Sequence, residues 1–562
     1  MKNSRREFIG ATGAAILAAA VGAADDIGPQ TGQQREEASE TIRKNVAYQE
    51  SDLVPIPAHA DNGDEALYPT KFANYSKALK HDPFCGEVDP AAYQALINAI
   101  QTGQFSDFEA LATNGHLGSA DPSQQRRLVN PISGYAYDLE GTDSHQVVLP
   151  PAPSFASAQE AGEMVELYWM ALLRDVPFAQ YPTNPLAWAA AEDLSQLSDF
   201  RGPKQNGQVT PWTLFRDTFP GCTIGPYISQ FLLQPANFGS IRIDTRMALV
   251  ANGVDYMTDF QSWLDVQNGV NTPPTPTTGA LSYCKSGRDL THYVNIDQLY
   301  EAYFVAGVNL LSNGYLANIG NPYGQVIDGG AGRPRNPAID PNSALAQVGF
   351  GTFGGPSILT LAAEPATRAL KDVWYQKWLV HRRLRPEEFG GRVEVARLGR
   401  RQYPFHADLT NSCVLSQVFS NFGSMLLPMA FMEGSPNHTS YGSGHATVGG
   451  ACVTMLKAFF HDWEWIHNPV MPNPADGGQT LVPYWAPQGE APMTVHGELN
   501  KLASNIAQGR NIAGVHWRSD AVESMLLGEA ATISMLRDLR NTLTEPFNGF
   551  TFFKFDGSLV TL

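Results

Sequence analysis

The sequence predicts a mainly α-helical protein, and three observations carry that prediction. Apolar residues recur at helix-like spacing in 88–102, 158–174, 296–312, 364–384, 444–461 and 496–509. Strand signals are sparse, with "FTFFKFDGSLVTL" (550–562) reading as a small C-terminal hairpin around Asp556-Gly557. Beyond the N-terminus no apolar run is long enough to span a bilayer, since "GSMLLPMAFMEG" (423–434) is short and interrupted by Pro428. At 562 residues, 43% of them hydrophobic, the chain can bury one extended core or two packed ones.

Taken from the N-terminus, "SRREFIG" (4–10) and the Ala-rich run to Ala24 read as a twin-arginine export signal over 1–24, which predicts a periplasmic or secreted enzyme. A buried alanine helix is the plainer reading, and the basic polar front argues against it. Residues 25–75 are polar and proline-containing and read as an arm. A helical region is expected over 76–279, closed by the loop "NTPPTPTTG" (271–279). A catalytic helical-bundle region follows over 280–545, and the hairpin tail occupies 546–562. A formal charge of −17 speaks against nucleic acid. The five cysteines show no paired motif, allow at most two disulfides, and include Cys452 at a helix-core position.

Function is concentrated in three stretches. In "SPNHTSYGSGHATVGGACVTML" (435–456), Ser443 stands where an N-cap belongs, at the start of a helical run. The first N–H groups of a helix lack internal partners and lie at its positive end, so Gly444 exposes a donor to an anion. An ordinary glycine-rich turn is the bland alternative.

The second stretch is "WYQKWLVHRRLRPEEFGGRV" (374–393). Between Arg368 and Arg401 the chain carries ten Lys and Arg against four Asp and Glu, a surplus that argues for an anionic ligand. Lys377 and Arg385 lie eight positions apart, about 12 Å along a continuous helix. Pro386 biases Arg385 out of helical geometry and lets it swing inward. Arg382, Arg383, Arg397, Arg400 and Arg401 read as a solvated basic face.

The third stretch, "GRNIAGVHWRSD" (509–520), offers Arg510, His516 and Asp520. At helical spacing the Asp520 carboxylate can approach one nitrogen of His516 and leave the other for a ligand. Together, Lys377, Arg385 and Arg510 supply three cations, Ser443 and Gly444 neutral donors, and His445 and His516 titratable nitrogens. A tetrahedral oxyanion, phosphate or vanadate, fits that set. Zinc does not, because three cations would repel it and no cysteine pair has ligand spacing.

The order Lys, Arg-Pro, Ser-Gly-His, then Arg with five residues to His and three more to Asp resembles the superfamily uniting acid phosphatases with vanadium-dependent haloperoxidases. Seven residues separate Lys377 from Arg385, as in the algal bromoperoxidases, where the phosphatase pattern usually has six. "HDPFCGEVDPAAYQALI" (81–97) and "YWMALLRDVPF" (168–178) extend the similarity, which runs from about residue 70 to about residue 540. Gly442 departs from the proline usual before Ser-Gly-His.

The resemblance implies a helical bundle holding vanadate as cofactor. Lys377, Arg385, Arg510, Ser443 and the Gly444 N–H would hold its oxygens, His516 would be the nitrogen ligand to the metal, and Asp520 would stand behind His516. His445 would be the acid/base group. Lys377, His438, His445 and His516 are thus the catalytic candidates. Hydrogen peroxide, a halide and small organic acceptors would be the partners, in a homo-oligomer without membrane insertion. A histidine at 438, where fungal chloroperoxidases have an apolar aromatic residue, implies oxidation of bromide and iodide rather than chloride. An acid phosphatase with His516 as nucleophile, or a non-catalytic oxyanion-binding protein, remains open at the level of sequence.

Overall fold

The computed structural model describes residues 32–52, 54–327 and 343–562. The export signal read over 1–24 lies outside them. The principal helices are α1 (Gly32–Asp52), α2 (Pro90–Thr102), α3 (Ala158–Leu173), α4 (Gly287–Ile296), α5 (Glu301–Ser312), α6 (Pro365–Tyr375), α7 (Pro386–Arg397), α8 (Gly444–Phe459), α9 (Val495–Ile512) and α10 (Arg518–Thr542). Among the described residues the strands form only two-stranded antiparallel pairs. One joins Met247–Val250 to Thr277–Ser282, so the end of the expected 271–279 loop is strand. Another, Thr551–Phe553 with Leu559–Thr561, is the expected tail hairpin, with Gly557 at φ 80° in its turn.

The ends of these helices follow their cap chemistry. Asp89 precedes Pro90 and accepts from two N–H groups of α2, Ser157 caps α3, and Thr494 caps α9. Ser443 caps α8 as expected, accepting from the Ala446 N–H at 3.4 Å. In α1, Glu, Arg, Lys and Gln surround the helix without an apolar stripe, and it stays exposed on the surface. Its Arg35 guanidinium donates to the Thr542 carbonyl at the end of α10. The polar arm therefore contains a helix that composition alone did not reveal.

At the centre lie α8, α9 and α10. Every residue of α9 is buried, and His445 is the only residue of α8 that is not. Glycines bring α8 and α10 together: a Cβ on Gly450 would lie 2.0 Å from the Met525 carbonyl, and one on Gly528 2.0 Å from the Thr447 carbonyl. The main apolar core runs continuously from Phe72 to Leu562 and draws residues from both sides of the 271–279 segment. Four of the five cysteines are buried and all five are unpaired. No helix among the described residues is long and apolar enough to cross a membrane.

Two expected helices depart from their expected spans beside the site. The 364–384 helix stops at Tyr375, runs through a π-helical turn over Gln376–His381, and ends at Arg382 with φ 42°. Such turns widen a helix and re-aim its side chains. Arg385 then has extended backbone as the residue before Pro386, the geometry that the proline dictates. The expected 296–312 helix starts late: a separate helix, α4, ends at Ile296, Asp297 is extended, and α5 begins at Glu301.

Candidate active site

Lys377, Arg385 and Arg510 are each 5% exposed or less, and none has a carboxylate within 4 Å among the described residues. The Lys377 ammonium donates to the Thr439 and Ser440 carbonyls at 2.7 and 3.1 Å. Arg385 donates from Nε to the His438 carbonyl (2.9 Å) and from one terminal nitrogen to the Val515 carbonyl (2.7 Å). Arg510 reaches the Val294 carbonyl at 2.6 Å, while its buried Nε has no partner. Burying three charges with only neutral partners is costly, and a bound anion offsets that cost.

Burial, followed by Arg385 and Arg510, pushes the Lys377 ammonium well below its ordinary 10.5, against the pull of Asp520. Burial also brings Arg385 and Arg510 down to about 10, with Asp520 and Asp297 respectively opposing the shift. The cluster is therefore an unneutralised positive field.

His516 sits just ahead of α10 rather than on it. Trp517 is the N-cap, and the Asp520 carboxylate accepts from both the Trp517 N–H (3.2 Å) and His516 Nδ1 (2.8 Å). The expected His–Asp contact is made, through helix capping instead of a shared helical face. His516 Nε2 lies 3.0 Å from an Arg385 terminal nitrogen. Because guanidinium only donates, Nε2 carries the lone pair and Nδ1 the proton. Burial, then Arg385, Lys377, Arg510 and His445, holds this imidazole well below 6.5 and neutral.

His445, the second residue of α8, has 18% of its side chain exposed, and its Nε2 lies 3.2 Å from an Asp297 carboxylate oxygen. Burial lowers its pKa from 6.5 more than Asp297 raises it, and Arg510 lowers it further. His438 is buried, its Nδ1 lies 2.9 Å from the other Arg385 terminal nitrogen, and its ring packs 4.9 Å from Trp374. Burial and the charges of Lys377 and Arg385 hold it well below 6.5, which favours the neutral ring. Ser443 is fixed by its N–H, which donates to the Ser524 hydroxyl at 2.8 Å. A Cβ on Gly442 would lie 2.2 Å from that same hydroxyl oxygen, so close packing requires the glycine.

Of the eight expected site residues, Arg385 joins His438 to His516, the Lys377, Arg510 and His445 side chains act on the same His516 ring, and Ser443 and Gly444 begin the helix that carries His445, with Asp520 behind His516. One expectation fails. Arg383 is not on a solvated face: it lies just after the π turn, where the helix has ended, is 2% exposed, and pairs with Asp520 and Glu160. Arg382 also pairs, with Glu65 at 2.7 Å, whereas Arg401 is half-exposed. Sequence reasoning missed Asp297 and Arg383. Nothing near residue 297 links it to residue 445, and the carboxylates facing Arg383 lie about 140 and 220 positions away in the chain.

The donor set fits a tetrahedral oxyanion: three unpaired cations, a serine hydroxyl, a helix N-terminus and one imidazole lone pair directed at the same place. Comparison with known proteins points the same way. Residues 417–543 match the family described as the VCPO second helical-bundle domain. Vanadium-dependent bromoperoxidases of Corallina pilulifera and Ascophyllum nodosum are each 33% identical to the chain. The alignments cover 94% and 96% of this chain and 99% and 94% of those proteins. A solved homohexameric vanadate-dependent bromoperoxidase of Ascophyllum nodosum superposes with a TM-score of 0.84 at 29% identity, covering 95% of this chain and 91% of that one.

Proposed function

The chain belongs to the vanadium-dependent bromoperoxidases, and from that premise we propose that it uses hydrogen peroxide to oxidise bromide and iodide to hypohalous acid, which halogenates small organic acceptors. In this reading Lys377, Arg385, Arg510, Ser443 and the Gly444 N–H hold a vanadate, and the His516 Nε2 lone pair binds its metal. Bound there, vanadate supplies a Lewis acid that activates peroxide toward attack by a halide, without change of oxidation state.

The chain's own groups do the rest. The three cations neutralise the oxyanion and draw electron density away from its oxygens. His445, neutral at pH 7, takes a proton from incoming peroxide, and Asp297 orients its ring and stabilises the imidazolium that forms. Arg385 braces His438 on one side and His516 on the other, which fixes the wall that the halide approaches.

The observation carrying this reading is the trio of buried, unpaired cations around the His516 lone pair. It is tested by stripping the bound oxyanion, adding back vanadate or phosphate, and assaying bromination and phosphatase activity side by side. Bromination restored by vanadate and suppressed by phosphate is expected. Bromination without vanadium would overturn the reading, and phosphate-ester turnover without bromination would favour the acid phosphatase.

The similarity to a homohexameric enzyme supports assembly of this chain as a homo-oligomer. "SRREFIG" supports twin-arginine export to the periplasm or beyond. Changing Arg5 and Arg6 to Lys should leave the precursor in the cytoplasm, and an unchanged exported yield would refute that route.

A further inference from the structure

We infer that Arg383 is a positioning residue for vanadate: it fixes the Asp520 carboxylate behind His516 and so keeps the Nε2 lone pair aimed at the oxyanion. This rests on the reading of His516 as the metal ligand. Asp520 Oδ2 is occupied by His516 Nδ1, the Trp517 N–H and the Ser440 hydroxyl, whereas Oδ1 is held by Arg383 at 2.7 Å. Arg383 is the only Lys or Arg within 4 Å of Asp520 among the described residues. Its main chain acts on the same carboxylate, because the Arg383 carbonyl accepts from the Ser440 N–H at 3.0 Å and thereby sets the hydroxyl that bonds Oδ2.

The guanidinium is itself immobilised. One terminal nitrogen also donates to the Ser519 hydroxyl (2.8 Å), and the other donates to Glu160 and lies 3.4 Å from Glu163, both on α3. Its plane sits 4.7 Å from the Trp517 ring centre. Arg383 and Arg385, two residues apart, thus address opposite sides of His516: one through Asp520 behind Nδ1, the other directly at Nε2. A carboxylate that orients a ligand imidazole governs metal affinity, and whatever orients the carboxylate shares in that control.

A merely structural Arg383 would tie α3 to α10 and nothing more. Arg518 provides the comparison, since it joins the same region by pairing with Glu166 (2.5 Å) and Asp217 (3.1 Å) without touching Asp520.

The experiment measures vanadate and phosphate dissociation constants, with the 51V NMR shift of bound vanadate, for the full-length wild type, R383Q, R383K and R518Q. R383Q should weaken vanadate by about 10- to 100-fold and move the 51V signal. It should change phosphate by less than about 3-fold, because phosphate relies on the cations and takes no nitrogen ligand. R383K keeps the charge but loses the fork and should fall between wild type and R383Q, which preserves the test should R383Q not fold. R518Q should leave vanadate binding within about 3-fold. Unchanged vanadate affinity in the Arg383 variants, parallel loss of both anions, or equal loss in R518Q would overturn the inference. Wild-type protein that binds vanadate no more tightly than phosphate would instead overturn the ligand role of His516 itself.

Discussion

His445 Nε2 lies 3.2 Å from the Asp297 carboxylate, although the two residues are 148 positions apart and Asp297 lies in the break between α4 and α5. Asp297 reaches it because α4 ends one residue earlier and turns its backbone extended. The pair supplies a neutral base with a ready counter-charge for the proton it receives.

Replacing Asp297 by Asn should therefore lower kcat for bromide oxidation by about 10- to 100-fold while vanadate affinity stays within about 3-fold. Asp297 raises the pKa of His445, so its loss lowers that pKa and moves the acid limb of the rate profile to lower pH. Steady-state kinetics across pH with parallel vanadate titrations check this. Weakened vanadate with unchanged kcat would show that Asp297 serves the cofactor instead.

His438 offers a contrast, because its ring is held neutral and accepts from Arg385. Its contribution is therefore a hydrogen bond and packing rather than a proton. His438→Ala should slow bromide oxidation by about 10-fold through loss of its hydrogen bond and packing, with vanadate still bound and the pH profile unshifted. The wild type should oxidise bromide and iodide readily and chloride poorly. Equal bromide rates in both proteins, or efficient chloride turnover, would deny His438 its part in halide choice.

Lys377 gives a proton-linked signal. Its pKa is depressed by burial and by neighbouring guanidinium groups, and an anion beside it reverses the second effect. Anion binding should take up protons between the depressed pKa and the ordinary 10.5, so affinity falls as pH rises through that window. Calorimetry with phosphate at pH 9, in buffers of different ionisation heat, measures the uptake. Proton release, or none, would mean that Lys377 is charged before the anion arrives.

Much of this site is legible in the sequence because its groups act close to where they stand in the chain. Ser443 caps the helix it begins, Pro386 sets the backbone of Arg385, and Asp520 reaches His516 across four positions. Helix periodicity likewise marks α2, α3, α8 and α9. Asp297 and Arg383 are not legible, since their partners come from remote segments. Nor is the π turn at Gln376–His381, which side-chain periodicity does not distinguish from an α-helix and which ends the helix just before Arg383. The helix in the arm escapes for the opposite reason, having no apolar face to betray it.

Bromide oxidation by the His516→Ala variant, followed as tribromide formation over rising vanadate, tests the central claim most directly. Among the described residues, His516 is the only imidazole with a lone pair fixed by a guanidinium on one side and a carboxylate-held N–H on the other. The expected result is no vanadate-dependent turnover at any concentration, while phosphate still binds and stabilises the protein through Lys377, Arg385 and Arg510. Near-normal turnover in this variant would contradict the account.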